Sequence, residues 1–173
     1  MNHPMQHFEH GGAHIAALHD GKTGSWQYVV SDPATKACAI IDPVWDFDEK
    51  AAATSTRNAE VLLAHVRDEG LQVEWILDTH PHADHFSAAP WLKARLGAPT
   101  AIGDKVTGVQ ALWKDLYGLD ADFPPTGGNG TACSWLETPS GSAGWRDESC
   151  SRRATRWRRS PMSSAATPSC MTP

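Results

Sequence analysis

Seven consecutive residues, Thr79-His80-Pro81-His82-Ala83-Asp84-His85, follow directly on the short apolar run Val73 to Leu77, and no other feature constrains this chain as much. A run of that length, rich in β-branched and aromatic residues, predicts a buried strand. A loop leaving a rigid strand end can hold side chains to the tolerance that a metal ion requires. On an extended backbone His80 and His82 point the same way and can pinch one ion. Asp84 and His85 can then turn toward a neighbouring second ion. Imidazole and carboxylate donors suit zinc, iron or manganese. The competing reading is a solvated histidine loop. Three histidines and an aspartate within six residues are not core material, because buried polar groups need partners, and the metal reading is preferred.

The pattern around this motif alternates strands and helices. Trp26 to Ser31 and Lys36 to Ile41 read as strands joined by the turn-prone stretch Asp32 to Thr35, and Asp42-Pro43 ends the second of them. A polar loop is expected as far as Thr56. Ala59, Leu62, Leu63 and Val66 then recur at helical spacing, and Gly70 stops the helix. Ser87 reads as the N-cap of a helix carrying Trp91, Leu92 and Leu96 and ended by Gly97. Pro99 to Ile102 predicts a further strand. Asp104 reads as the cap of a helix carrying Val106, Val109, Trp113 and Leu116. Such alternation indicates an α/β layered fold. Asp42, at a strand end beside the motif, reads equally as a turn former or as a partner of the metal ligands. Cys38 reads as a small buried hydrophobe.

Composition divides the chain. It has 173 residues and a formal charge of -5, enough for one domain with a tail. No apolar run reaches membrane-spanning length, and no basic start followed by an apolar core marks a secretory signal. The four cysteines form no CxxC pair, which points to a reducing cytoplasm. Residues 1–22, with five histidines, are expected to be a flexible segment. After Pro125 the chain has no Val, Ile, Phe, Tyr or His, and six arginines face three acidic residues. Such a stretch cannot bury enough apolar surface to offset its ordering entropy. A boundary near Pro124-Pro125 follows, with residues 125–173 as a low-complexity, disordered tail. Its arginines at 152, 153, 156, 158 and 159 read as a solvated basic run, with no nucleic-acid or membrane partner expected.

His-x-His-x-Asp-His after an apolar strand resembles the metal motif of the metallo-β-lactamase superfamily. Residues from Thr23 to about Asp122 are similar to the N-terminal half of its thiol-metabolism branch, the persulfide dioxygenases and glyoxalase II-type thioesterases. The stretches that carry the likeness are Gly24 to Tyr28, Ala39 to Val44 and Thr79 to Ala88. The resemblance implies an αββα sandwich, here its N-terminal half only (residues 23–124), with metals at one edge of two packed sheets. It implies His80 and His82 on a first zinc ion with a later histidine, and Asp84 and His85 on a second, with a later aspartate bridging both. Asp84 would also orient the attacking metal-bound water. In the dioxygenase variant His80 alone of the four would ligate a single ferrous iron, whose open positions take oxygen and a persulfide. The implied substrate is a small glutathione thioester or persulfide. The alternative is a truncated, inactive metal-binding fragment.

The chain departs from that pattern after His85, where no further histidine occurs. Read one base earlier, the codons of Arg153 to Trp157 permit Pro-Gly-His-Thr-Leu, which resembles the family's second metal motif. The same shift on Pro161 to Thr172 permits a stretch ending His-Asp-Thr. This ordered series, with the loss of branched apolar residues, motivates the hypothesis that residues from about Pro125 are a frameshifted reading. The nucleotide sequence across the codons for Phe123 to Gly130 tests it, and a tail with no restorable Pro-Gly-His-Thr frame would sink the idea.

Overall fold

The structure, a computed structural model, describes residues 4–103 and 105–120. Strands β1 (Gln6–His10) and β2 (Ala13–His19) form a hairpin, with His10 paired to Ala13. The two turn residues, Gly11 and Gly12, have φ of 58° and 84°. Positive φ at both positions is the type I′ requirement that glycine meets without strain. The expectation of a flexible segment over residues 1–22 is corrected here. Ala13, Ala16, Ala17 and Leu18 of β2 are buried, and a packed face made mostly of alanine gives little hydrophobic signal among so many histidines.

Strands β3 (Trp26–Ser31) and β4 (Ala37–Ile41) continue the sheet antiparallel, close to where the alternation placed them. The turn between them is held by Asp32, whose carboxylate accepts the Ala34 N–H at 2.9 Å and the Thr35 hydroxyl at 2.9 Å. These two bonds hold the Asp32 carboxyl below its ordinary range, the Ala34 bond foremost. The expected polar loop after Pro43 is in fact two strands, β5 (Val44–Asp48) and β6 (Ala53–Ser55). Aspartates at 46 and 48 hide the strand pattern of β5. Asp46 is buried because it serves the next element: its carboxylate accepts the Asn58 N–H at 2.9 Å, the Asn58 side-chain amide at 2.8 Å and Arg57 at 3.1 Å. A carboxylate at a helix N-terminus satisfies an orphan N–H and complements the helix dipole.

That helix, α1 (Arg57–Asp68), buries Ala59, Leu62 and Val66. Strand β7 (Gln72–Asp78) follows it and pairs parallel with β4. After the motif come β8 (Phe86–Ser87), paired with β5, then α2 (Ala89–Leu96), β9 (Thr100–Ile102), parallel to β7, and α3 (Val106–Tyr117). The N-cap of α2 is Ala88 rather than Ser87, although the Ser87 hydroxyl still accepts the Ala89 N–H at 3.1 Å. Lys105 is the N-cap of α3, without a side-chain bond, and Asp104 lies outside the described residues. So does the expected tail from residue 125 onward.

Two sheets result among the described residues, a six-stranded one in the order β1-β2-β3-β4-β7-β9 and a three-stranded one in the order β6-β5-β8. Alternation along the strands gives the larger sheet two faces. One cluster joins Leu18, Val29, Cys38, Ile40 and Ile76 to Leu62 and Val66 of α1 and Leu92 of α2. A second gathers Trp75 with Ala13, Ala39 and Ala101. Burial pushes the Cys38 thiol up to about 12, with Glu74 adding to the effect, so it packs as a hydrophobe. Among the described residues no helix is long and apolar enough to cross a membrane.

Candidate metal centre

The parallel neighbours β4 and β7 end side by side, and their C-terminal ends build the site. Asp42 leaves β4 with φ of 51°, a left-handed conformation that aspartate tolerates better than most residues. Its N–H donates to the Leu77 carbonyl at 2.8 Å, which ties the two strand ends together. Its carboxyl then accepts three donors from the motif. These are the Thr79 N–H at 2.7 Å, the Thr79 hydroxyl at 2.8 Å and His82 Nε2–H at 2.9 Å. Asp42 thus both shapes the turn that ends β4 and holds Thr79 and His82 of the motif.

These bonds decide which nitrogen of each imidazole is free, because a neutral ring carries one proton. His82 gives Nε2–H to Asp42, which leaves the lone pair on Nδ1. That atom stands 3.9 Å from Asp84 Oδ1. The Thr79 hydroxyl proton goes to Asp42, so at 2.8 Å the hydroxyl oxygen accepts His80 Nδ1–H. The lone pair of His80 is then on Nε2. His85 Nδ1–H donates to Asp84 Oδ2 at 3.1 Å, with the Ser25 hydroxyl oxygen 3.2 Å away. Its Nε2 is therefore the lone-pair atom, buried and without a hydrogen-bond partner among the described residues.

Ser25 anchors the other side from the β2–β3 loop. Its hydroxyl donates to Asp84 Oδ2 at 2.6 Å. This bond, followed by that from His85, holds the Asp84 carboxyl far below its ordinary range, so Asp84 is anionic throughout neutral pH. The loop itself is folded around Asp20, whose carboxylate accepts the Thr23 hydroxyl at 2.8 Å and the Thr23 N–H at 3.2 Å. Beneath the motif, burial pushes the Asp78 carboxyl up against the opposing effect of the Ser87 hydroxyl, 2.9 Å from both carboxylate oxygens.

The donor set fits a metal ion. His82, Asp84 and His85 each offer a ligand atom, all within 4.8 Å of one another. The His85 Nε2 atom is buried without a hydrogen-bond partner among the described residues, and a buried imidazole lone pair left so is a costly arrangement that a cation would relieve. His80 is placed differently. Its ring lies over His82 at 4.2 Å between centroids, as does that of His85, but it is outside the close donor group. The structure thus gathers ligand atoms of His82, Asp84 and His85 and sets the His80 ring beside that of His82. A second group, Asp42, Asp78 and His82, is already committed to hydrogen bonding through Asp42 and Ser87. Sequence reasoning did not single out Ser25, Asp78 or Ser87 for the site. Only Asp78 carried a signal, an acidic residue ending an apolar strand just before the motif.

Residues 20–136 match the family model of the metallo-beta-lactamase superfamily. The chain belongs to that superfamily. The matched residues run past Pro124-Pro125. The chain is similar to the beta-lactamase hydrolase-like protein of Xylella fastidiosa (strain Temecula1 / ATCC 700964), 66% identical over 105 residues, which are 61% of this chain and 24% of that protein. It is similar to Glyoxylase B2 of Dictyostelium discoideum, 39% identical over 116 residues, covering 66% of this chain and 40% of that protein. To the mitochondrial persulfide dioxygenase ETHE1 of Bos taurus it is 26% identical over 99 residues, covering 57% of this chain and 35% of that protein. The chain therefore spans less than half the length of each of these relatives.

Proposed function

We propose that the motif is one half of the metal site of a metallohydrolase that cleaves a small glutathione thioester. The gathering of ligand atoms from His82, Asp84 and His85 within 4.8 Å of one another, with the buried Nε2 of His85 unpartnered among the described residues, is the observation that carries this reading. Nitrogen and carboxylate donors in this arrangement suit zinc. When bound, such an ion polarises a carbonyl and brings the pKa of its water to about 7. The chain's own residues hold the donors in place. Asp42 fixes the tautomer and tilt of His82, Thr79 does so for His80, and Ser25 aligns Asp84. Asp84, anionic and more exposed than the imidazoles it borders, can accept a proton bond from the attacking water and orient it. The thiol-derived substrate is supported by the resemblance of Gly24 to Tyr28 and Thr79 to Ala88 to thioesterases of this superfamily, and by the glyoxylase name of one relative.

The chain supplies no histidine after His85, and the proposed site is completed by ligands from a second half of the fold. Metal analysis and an activity assay test this. The expected result is zinc bound by the chain, lost in His82→Ala, with thiol release from a glutathione thioester only when the second half is supplied. Turnover by the 173-residue chain alone at an ordinary enzymatic rate would contradict the need for later ligands. The name of the bovine relative supports one other reading, a dioxygenase. Selective retention of ferrous iron, with oxygen uptake on a persulfide, would establish it instead.

A further inference from the structure

At the end of the larger sheet where β4 and β7 begin, opposite the motif, a cavity of about 320 Å³ is lined by the β1–β2 hairpin and the end of α1. Strand β1 forms one edge of that sheet, and none of its five residues is buried. It is held by its ladder to β2, from Gln6 to His10, and by the packing of the preceding Met5 against the core. To these is added a ring contact between His7 and His65 of α1, with 5.6 Å between centroids. An element with so few buried contacts opens at low cost, so a modest change in one contact moves it.

We propose that the His7–His65 contact is a pH-operated latch, closed while both imidazoles are neutral and released when they take up protons, which frees β1 from α1. Histidine is the side chain that ordinarily changes charge between about pH 5 and 8. Two imidazolium rings in contact repel each other, and Lys36 on the cavity wall adds a further positive charge. Burial foremost, with His7 adding to it, holds His65 below its ordinary value. Glu69 and Asp68 pull the other way without reversing the effect. Glu9, also on the wall, stands 3.4 Å from His14 of β2. That pair gains when His14 is protonated, but it ties β1 to β2 and not to α1. Both of its side chains are more than half exposed, so it is weak. Docking on α1 is therefore at full strength above about pH 6.5, the ordinary histidine value, and fades as pH falls through the lowered one.

Amide hydrogen exchange of the full chain tests the latch, read by NMR between about pH 7.5 and 5 and corrected for the intrinsic effect of pH, across the range where histidine titrates. The amides of β4 serve as the reference for global stability. Protection of β1 relative to β4 is expected to fall about two- to tenfold on acidification, tenfold being the effect of one full unit of pKa difference. His65→Gln removes the titrating ring from α1, so the relative protection of β1 then stays constant across the range, while β4 reports that the chain is folded. His7→Ala leaves β1 equally loose at both ends of the range. Relative protection of β1 that is independent of pH in the native chain would overturn the proposal. So would a fall of native size in either variant.

Discussion

Replacing Asp42 with alanine is expected to weaken zinc binding about 10–100-fold, the usual effect of removing the group that orients a ligating histidine. The chain is also expected to lose stability. One carboxyl accepts the Thr79 N–H, the Thr79 hydroxyl and His82 Nε2–H. Truncation strands these donors in a half-buried position, at about 1–3 kcal/mol for each that no water reaches. His82 would also be released to adopt the other tautomer, which points a proton at the place the ion should occupy. Asp42→Asn separates the two effects. Asparagine tolerates φ of 51° and keeps one carbonyl acceptor, so stability recovers more than affinity does. Zinc titration and urea denaturation of both variants check this. Native zinc affinity in Asp42→Ala would show that the carboxyl does not position the ligands.

The second large effect lies in the core. Leu62→Ala is expected to cost about 2–5 kcal/mol, the lost burial of the side chain plus the cavity it leaves. Leu62 is fully buried in the cluster that joins α1 to the sheet. A domain of this size has only about 5–15 kcal/mol in all, so the urea midpoint falls sharply while the slope is preserved. The control is Leu116→Ala on α3, where the side chain is 68% exposed. Surface changes of that kind usually stay within about 0.5 kcal/mol. Equal losses in the two variants would contradict the packing described here.

Periodicity made the centre of this fold legible, because β3, β4, β7 and α1 bury residues large enough to mark a face. It failed where burial is achieved by alanine, as in β2, or where a buried carboxylate serves a neighbouring element, as Asp46 does for α1. The motif was legible for the same reason as the strand before it: four ligand-type residues lie too close together to be accidental core. What spacing could not supply was their grouping. His82 sits with Asp84 and His85 because Asp42 pulls its Nε2 one way and Ser25 draws Asp84 in from a loop 59 residues away in sequence. Contacts across such separations leave no local trace in the chain.

Long-range proton–nitrogen NMR of the histidine rings, with and without zinc, tests the metal centre most directly. In the metal-free chain protons are expected on Nδ1 of His80, Nε2 of His82 and Nδ1 of His85. Zinc is expected to shift Nδ1 of His82 and Nε2 of His85, the nitrogens without protons. A proton on Nδ1 of His82, or a zinc titration that leaves these two rings unmoved, would contradict this assignment.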